Sequence, residues 1–208
     1  MTSRNQHLVG DVLFALQMFF ALSMGISQAW QMVHSTEGII LTWFSFWGFF
    51  LLINLKLSPQ AHVVQPSRIT KQTLIVYATW TVIMALNISV FLWRDDAVWK
   101  DVDTLTSTLA AIGIFIVFAV SLYQKLPVSD PILRGYLALI FKAMPQITLA
   151  YSIWLDGGEG LSVVAVIVGH ITICTRLGQI FLSIREASWD RNRIGSAISE
   201  IGNEASMV

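Results

Sequence analysis

The chain has 208 residues, 55% of them hydrophobic and only 12% charged, about half the charged share of a soluble domain, and its mean hydropathy is +0.65. Thirteen basic residues balance thirteen acidic ones, which leaves no basic excess for nucleic acid. The single cysteine, Cys174, excludes a disulfide scaffold and a multi-cysteine metal site. What remains is an all-α polytopic membrane protein.

A helix crosses the hydrocarbon layer with ~20 mostly apolar residues. Six stretches meet that test, at Leu8–Val33, Ile39–Leu57, Thr73–Trp93, Leu105–Leu126, Pro131–Trp154 and Leu161–Ile184. The first lacks a convincing cleavage site and contains Gln17, Gln28 and Gln31, so it reads as a retained span rather than a signal peptide. The second is dense in aromatic residues, including Trp43, Phe44, Trp47 and Phe50, that face lipid or pack between helices. Its end carries Asn54. The third places Trp80 and Asn87 seven apart, on one helical face. Trp93 and Trp154 close their spans as interfacial aromatics do.

The fifth span holds Lys142 near its middle, ~16 Å from either end at 1.5 Å per residue and beyond easy snorkelling reach. Gln146 lies one turn further on the same face, and Pro145 removes a backbone donor between them. Pro145 is therefore the expected hinge, bending the helix and freeing a carbonyl. In the sixth span Ser162, Ala165, Gly169, Thr172, Arg176, Gln179 and Ser183 form one small and polar face, suited to a cavity or a neighbouring helix. Arg176 either faces that cavity or snorkels to the nearby surface. Lys142 either awaits an anion or is satisfied by helix carbonyls and Gln146. Asn87 either meets substrate or bridges helices. His170 stands one residue off the polar face and reads as a satisfied core histidine. His7, His34, His62 and His170 show no metal-ligand spacing, and no cofactor is implied.

Residues 185–208 are too charged for a further span. Ile194, Ile198 and Ile201 recur at helical spacing, so the segment is either a surface-lying amphipathic helix or a solvated tail. Nine basic residues fall on one side of the spans; only Arg94 and Lys100 fall on the other, where Glu37, Asp95, Asp96, Asp101, Asp103, Asp156 and Glu159 collect. The charge bias places both termini in the cytoplasm of a plasma or bacterial inner membrane.

Two stretches resemble each other. Gln28, late in the first span, is followed by Glu37-Gly38; Gln146, late in the fifth, is followed by Glu159-Gly160. Gln28 is thus the repeat counterpart of Gln146. Such weak repeats are common in transporters, with the site between the halves. The organisation read from this is a first half at 1–104, a linker span at 105–126, a second half at 127–184 and the tail.

Met144-Pro145-Gln146, with Gly160-Leu161-Ser162 at the start of the next span, resembles the signature of the PQ-loop superfamily, which includes SWEET sugar transporters, cystinosin-like amino-acid exporters and KDEL receptors. The first half has Ser27-Gln28 and Gly38-Ile39-Ile40 at the equivalent places. The resemblance implies two bundles of three helices joined by a linker helix; six spans are counted here, without the last helix of the second half. Trp80 and Asn87 resemble in type the Trp and Asn that line the sugar site of SWEET transporters.

These readings converge on alternating-access transport of a small polar solute, with an anionic group that the cations would neutralise. The substrate-binding candidates are Lys142, Gln146, Thr172, Arg176, Gln179, Trp80, Asn87 and Asn54. A receptor or assembly factor that moves nothing is the alternative. A lipid-acting enzyme finds no nucleophile–base pair, carboxylate dyad or metal motif within the spans. The expected partners are the bilayer, the small substrate and a second copy of the chain, a homodimer in which a partner completes the second half.

Overall fold

The computed structural model describes residues 3–64, 68–127 and 129–207. The side chains of His7 and His62, named above for metal spacing, and of Arg4 and Arg68, two of the nine basic residues counted on one side, lie outside the described set. Among the described residues the chain is helical with no strand. Its elements are α1 (Ser3–His34), α2 (Leu41–Val64), α3 (Arg68–Trp93) and α4 (Asp101–Gln124), then α5 (Pro131–Ala138), a π turn (Leu139–Ala143) and α6 (Met144–Asp156) in one continuous span, then α7 (Val163–Ala187) and α8 (Arg191–Ala205). Five of these stretches are long and apolar enough to cross a membrane, and Leu41–Leu57 of α2 is a shorter apolar helix. The chain is an all-α polytopic membrane protein.

The ends of these helices follow from local chemistry. Asp130 caps α5, accepting from the Ile132 and Leu133 N–H groups, and Pro131 fills the first helical position. Ser162 caps α7 through the Ala165 N–H, and Asp190 caps α8 through the Arg193 N–H. Asp103, fully buried, reaches in two directions. Its carboxylate accepts from the Lys100 N–H of its own helix start, and from the N–H and hydroxyl of Thr42 at 2.8 Å each. That pairing locks the starts of α4 and α2 together.

The packing follows a pattern that repeats. α3 lies between α1 and α2 and packs on both; α8 lies between α5 and α7 and packs on both. The two groups meet along α1 against α7, and along α2 against the π turn and α6, while α4 lies outside against α5 and α6. The main core sits inside the first group. Trp43, Phe44 and Trp47 of α2 and Trp80, Ile83 and Phe91 of α3 are all buried there. Phe49, by contrast, points outward, so the aromatic residues of the second span divide between core and periphery.

The segment after α7 departs from the sequence reading. It neither frays nor lies apart on a surface. A turn at Ser188 (φ 63°) reverses the chain, and α8 runs back along α5, the π turn and α7. Close backbone approach makes this fit possible: a Cβ on Gly195 would lie 2.0 Å from the Pro131 carbonyl oxygen, and one on Gly135 2.7 Å from the Gly195 oxygen. Small residues allow such helix contacts. Ile201, expected on the apolar face, is 59% exposed; Gly195, Ala197 and Asn203 are the buried positions. Within this chain α8 thus packs as a third element against α5 and α7.

Candidate functional site between the two helix groups

A cavity of about 680 Å³, counting its open mouth, lies where the two groups meet. Trp47 and Trp80 stack at 4.9 Å between ring centroids and form one wall. The opposite wall is Lys142 of the π turn, Gln146 of α6, and Thr172 and Arg176 of α7. α8 contributes Ser199, Glu200 and Asn203, and α1 contributes Gln17.

The π turn sets the position of Lys142. Pro145 has no N–H to offer and its ring crowds the carbonyl one turn back. The chain widens there, and the Met144 N–H bonds to the Leu139 carbonyl, five residues earlier. The bend expected at Pro145 thus takes the form of a π turn, a feature frequent at functional sites. Lys142 is 6% exposed, and its Nζ lies 5.9 Å from the Trp47 ring centroid, within cation–π range. The partner of Lys142 is Glu200, at 3.3 and 3.5 Å from its two carboxylate oxygens. Gln146 accepts a 2.6 Å hydrogen bond from Ser206 just past α8. Arg176 donates to the Gln179 side-chain oxygen at 2.9 Å. Thr172 bonds back to the Val168 carbonyl of its own helix.

The structure brings Lys142, Gln146, Thr172, Arg176 and Trp80 to one cavity, with Gln179 beside it. It takes three other candidates elsewhere. Asn87 donates to the Gly25 and Ile83 carbonyls, bridging α3 to α1. Asn54 donates to Phe50 and accepts from Arg134, tying α2 to α5. Gln28 is 2% exposed and grips the loop before α7, donating to Gly160 O at 2.8 Å and accepting from Ser162 N at 3.0 Å. His170, read as a core histidine, is part exposed, with Nδ1 2.8 Å from a Glu204 oxygen. Among the described residues no group of three His, Cys, Asp or Glu side chains could hold a metal.

The end of the seam that carries the acidic loops is closed by backbone contact. The Gly160 N–H donates to Glu37 O at 3.0 Å. Gly38 has φ 76°, and a Cβ there would lie 2.0 Å from Gly157 O. Lys100 bridges to Asp156 at 2.8 Å, and Arg94 donates to Val33 O at 2.8 Å. At the same end the Arg94 guanidinium holds the Asp96 carboxyl at about 2. At the opposite end Asp130 would be raised by burial, but its bonds from Arg191 and from two backbone N–H groups outweigh this and hold it below its ordinary value.

With that geometry in view, known proteins offer no guide. No family model, curated protein or solved structure matches the chain. The site must be read from its own chemistry, and its most informative member is Glu200. Sequence reasoning assigned Lys142 no carboxylate because it sought one inside an apolar span, and Glu200 belongs to a polar helix. A signal did exist. Gly195, Ser199, Gly202, Asn203 and Ser206 repeat at helical spacing, the same small and polar pattern that marked α7. Gln17 was legible only as a reason against a signal peptide, although it proves to be 3% exposed and to line the cavity.

Proposed function

We propose that this protein carries a small polar solute bearing an anionic group across a membrane, by alternating access between its two helix groups. The observation that carries the reading is the cavity at their seam, which holds two cations and is walled by both groups. The closed contacts at the acidic end fit one state of such a cycle. The π turn at Lys142 and the glycine-rich contacts of α8 supply places where the groups could shift. Counting α8, the chain has three helices, a linker and three more, which supports the PQ-loop resemblance. α8 is the short member: fifteen residues reach ~22 Å, less than a ~30 Å hydrocarbon layer. The charge bias favours the basic end as cytoplasmic.

Purified protein in liposomes should take up one or more carboxylate or phosphorylated compounds above protein-free vesicles. Arg176→Gln should cut that uptake at least tenfold, because Arg176 is the cavity cation without a carboxylate partner among the described residues. Binding of such compounds with no uptake would replace the transporter by the receptor reading. Uptake restricted to neutral solutes would remove the anionic group from the proposal.

A further inference from the structure

Among the ion pairs here, Lys142–Glu200 is unusual. Lys100–Asp156 and Arg191–Asp130 close to 2.8 and 2.7 Å, the ordinary ~2.7–2.9 Å of charge-assisted bonds. Lys142–Glu200 stands at 3.3 Å although its side chains are only 8% and 19% exposed. A buried ion pair needs close geometry and further hydrogen bonds to offset lost hydration, and this one has a loose contact.

The remaining polar groups of the cavity are also incompletely matched. Lys142, Arg176 and Glu200 leave one formal positive charge in excess. Gln17 and Asn203, 3% and 2% exposed, each have a side-chain oxygen without a hydrogen-bond partner. A ligand with one negative charge and a hydrogen-bond donor would match all of these.

The deep end of α8 is where the ligand would act. A Cβ on Gly169 would lie 2.0 Å from Met207 Cε, so Met207 fills the notch that this glycine leaves in α7. Beyond it is a second, smaller cavity that shares Met24, Gln146 and Met207 as walls with the first and extends to Trp43 and Leu161. The start of α8 is fastened by Arg191–Asp130 and the Asp190 cap.

We propose that Glu200 is a built-in competitor for the ligand, its carboxylate occupying on Lys142 the place of the ligand's carboxylate or phosphate group. Resting on the transport reading of the same cavity, this specifies the ligand as a monoanion that also carries a hydroxyl or N–H donor. Binding passes Lys142 from Glu200 to the ligand and loosens the deep end of α8 while its start stays fastened. Withdrawal of Met207 then joins the two cavities and extends the path toward the acidic end.

The test is isothermal titration of the full-length chain in mild detergent with mandelate and with inorganic phosphate, and with mandelamide as the neutral control. Glu200→Gln should bind at least one anion tenfold tighter than wild type. Glu200→Asp, with a shorter carboxylate, should fall between the two. Lys142→Gln/Glu200→Gln should lose the gain, and mandelamide should respond to none of these changes. Backbone exchange at residues 200–207 should speed up at saturating anion. Equal or weaker binding in both single variants overturns the proposal, as does tightening that survives in the double variant or failure of wild type and variants alike to bind either anion. Glu200→Asp keeps a charge beside Lys142, so the test holds even if Glu200→Gln fails to fold. Tightening without uptake into liposomes would leave the competitor in place and remove transport; uptake without tightening would remove the competitor alone.

Discussion

α3 and α8 hold corresponding places, each between the other two helices of its group, and they are built in opposite ways. α3 has 26 residues and buries Val76, Trp80, Ile83, Met84 and Phe91. Its one buried amide, Asn87, donates to two helix carbonyls. α8 has 15 residues, buries only Gly195, Ala197 and Asn203, and is tied down by Arg191, Glu200, Glu204 and Ser206. A helix held by many small dispersion contacts gives way to no single competitor. A helix held by a few charges and hydroxyls can be challenged by any ligand or pH change that addresses those groups. The contrast explains how one seam can contain both a rigid wall and a releasable one.

Two substitutions would sharpen that contrast most. Phe91→Ala removes a ring 2% exposed in the core of α3 and should cost about 3–5 kcal/mol, by chemical denaturation in detergent, with little dependence on salt. Glu200→Ala leaves Lys142 buried without its carboxylate and should cost a similar ~3–5 kcal/mol. The difference lies in the rescue. Lys142→Met/Glu200→Leu should recover most of the loss, because replacing both members of a buried pair by apolar groups is close to neutral. A double variant as unstable as Glu200→Ala would mean that α8 is held by packing after all, and the two helices would no longer differ in kind.

The same contrast governs what could be read from the sequence. The six apolar stretches, α3 among them, were legible because a span must present ~20 apolar residues to lipid. The face of Lys142 and Gln146 and the polar stripe of α7 were legible because helical spacing fixes which residues neighbour one another. α8 was not, since its position depends on specific partners far away in sequence: Asp130, Lys142, His170 and Gln146. Gln28 shows a related limit. Its repeat position beside Gln146 was visible, but its partners are Gly160 O and Ser162 N, and no periodicity could reveal that it closes a loop while its counterpart lines a cavity. Asn87 fell the same way, because an asparagine facing a cavity and one bridging two helices have identical spacing.

The smallest expected effect concerns how α8 is fastened at its start. The folded-state carboxyl of Asp130 lies below its ordinary value: burial pushes it up, but the Arg191 guanidinium at 2.7 Å and the Ile132 and Leu133 N–H groups push it further down. A depressed carboxyl contributes stability that is complete above the unfolded value of about 3.9 and is lost as the pH falls through the lower folded value. Backbone exchange protection of residues 191–205, corrected for intrinsic rate, should therefore decline as the pH drops below about 4. Glu200 and Glu204 on the same helix also face basic groups, so the share due to Asp130 is the difference between wild type and Asp130→Asn. Protection of α8 that stays level down to about pH 2 in the wild type would show that Arg191 and Asp130 do not fasten it. The releasable wall would then be anchored through Lys142 and His170, at the end where the competing ligand is proposed to act.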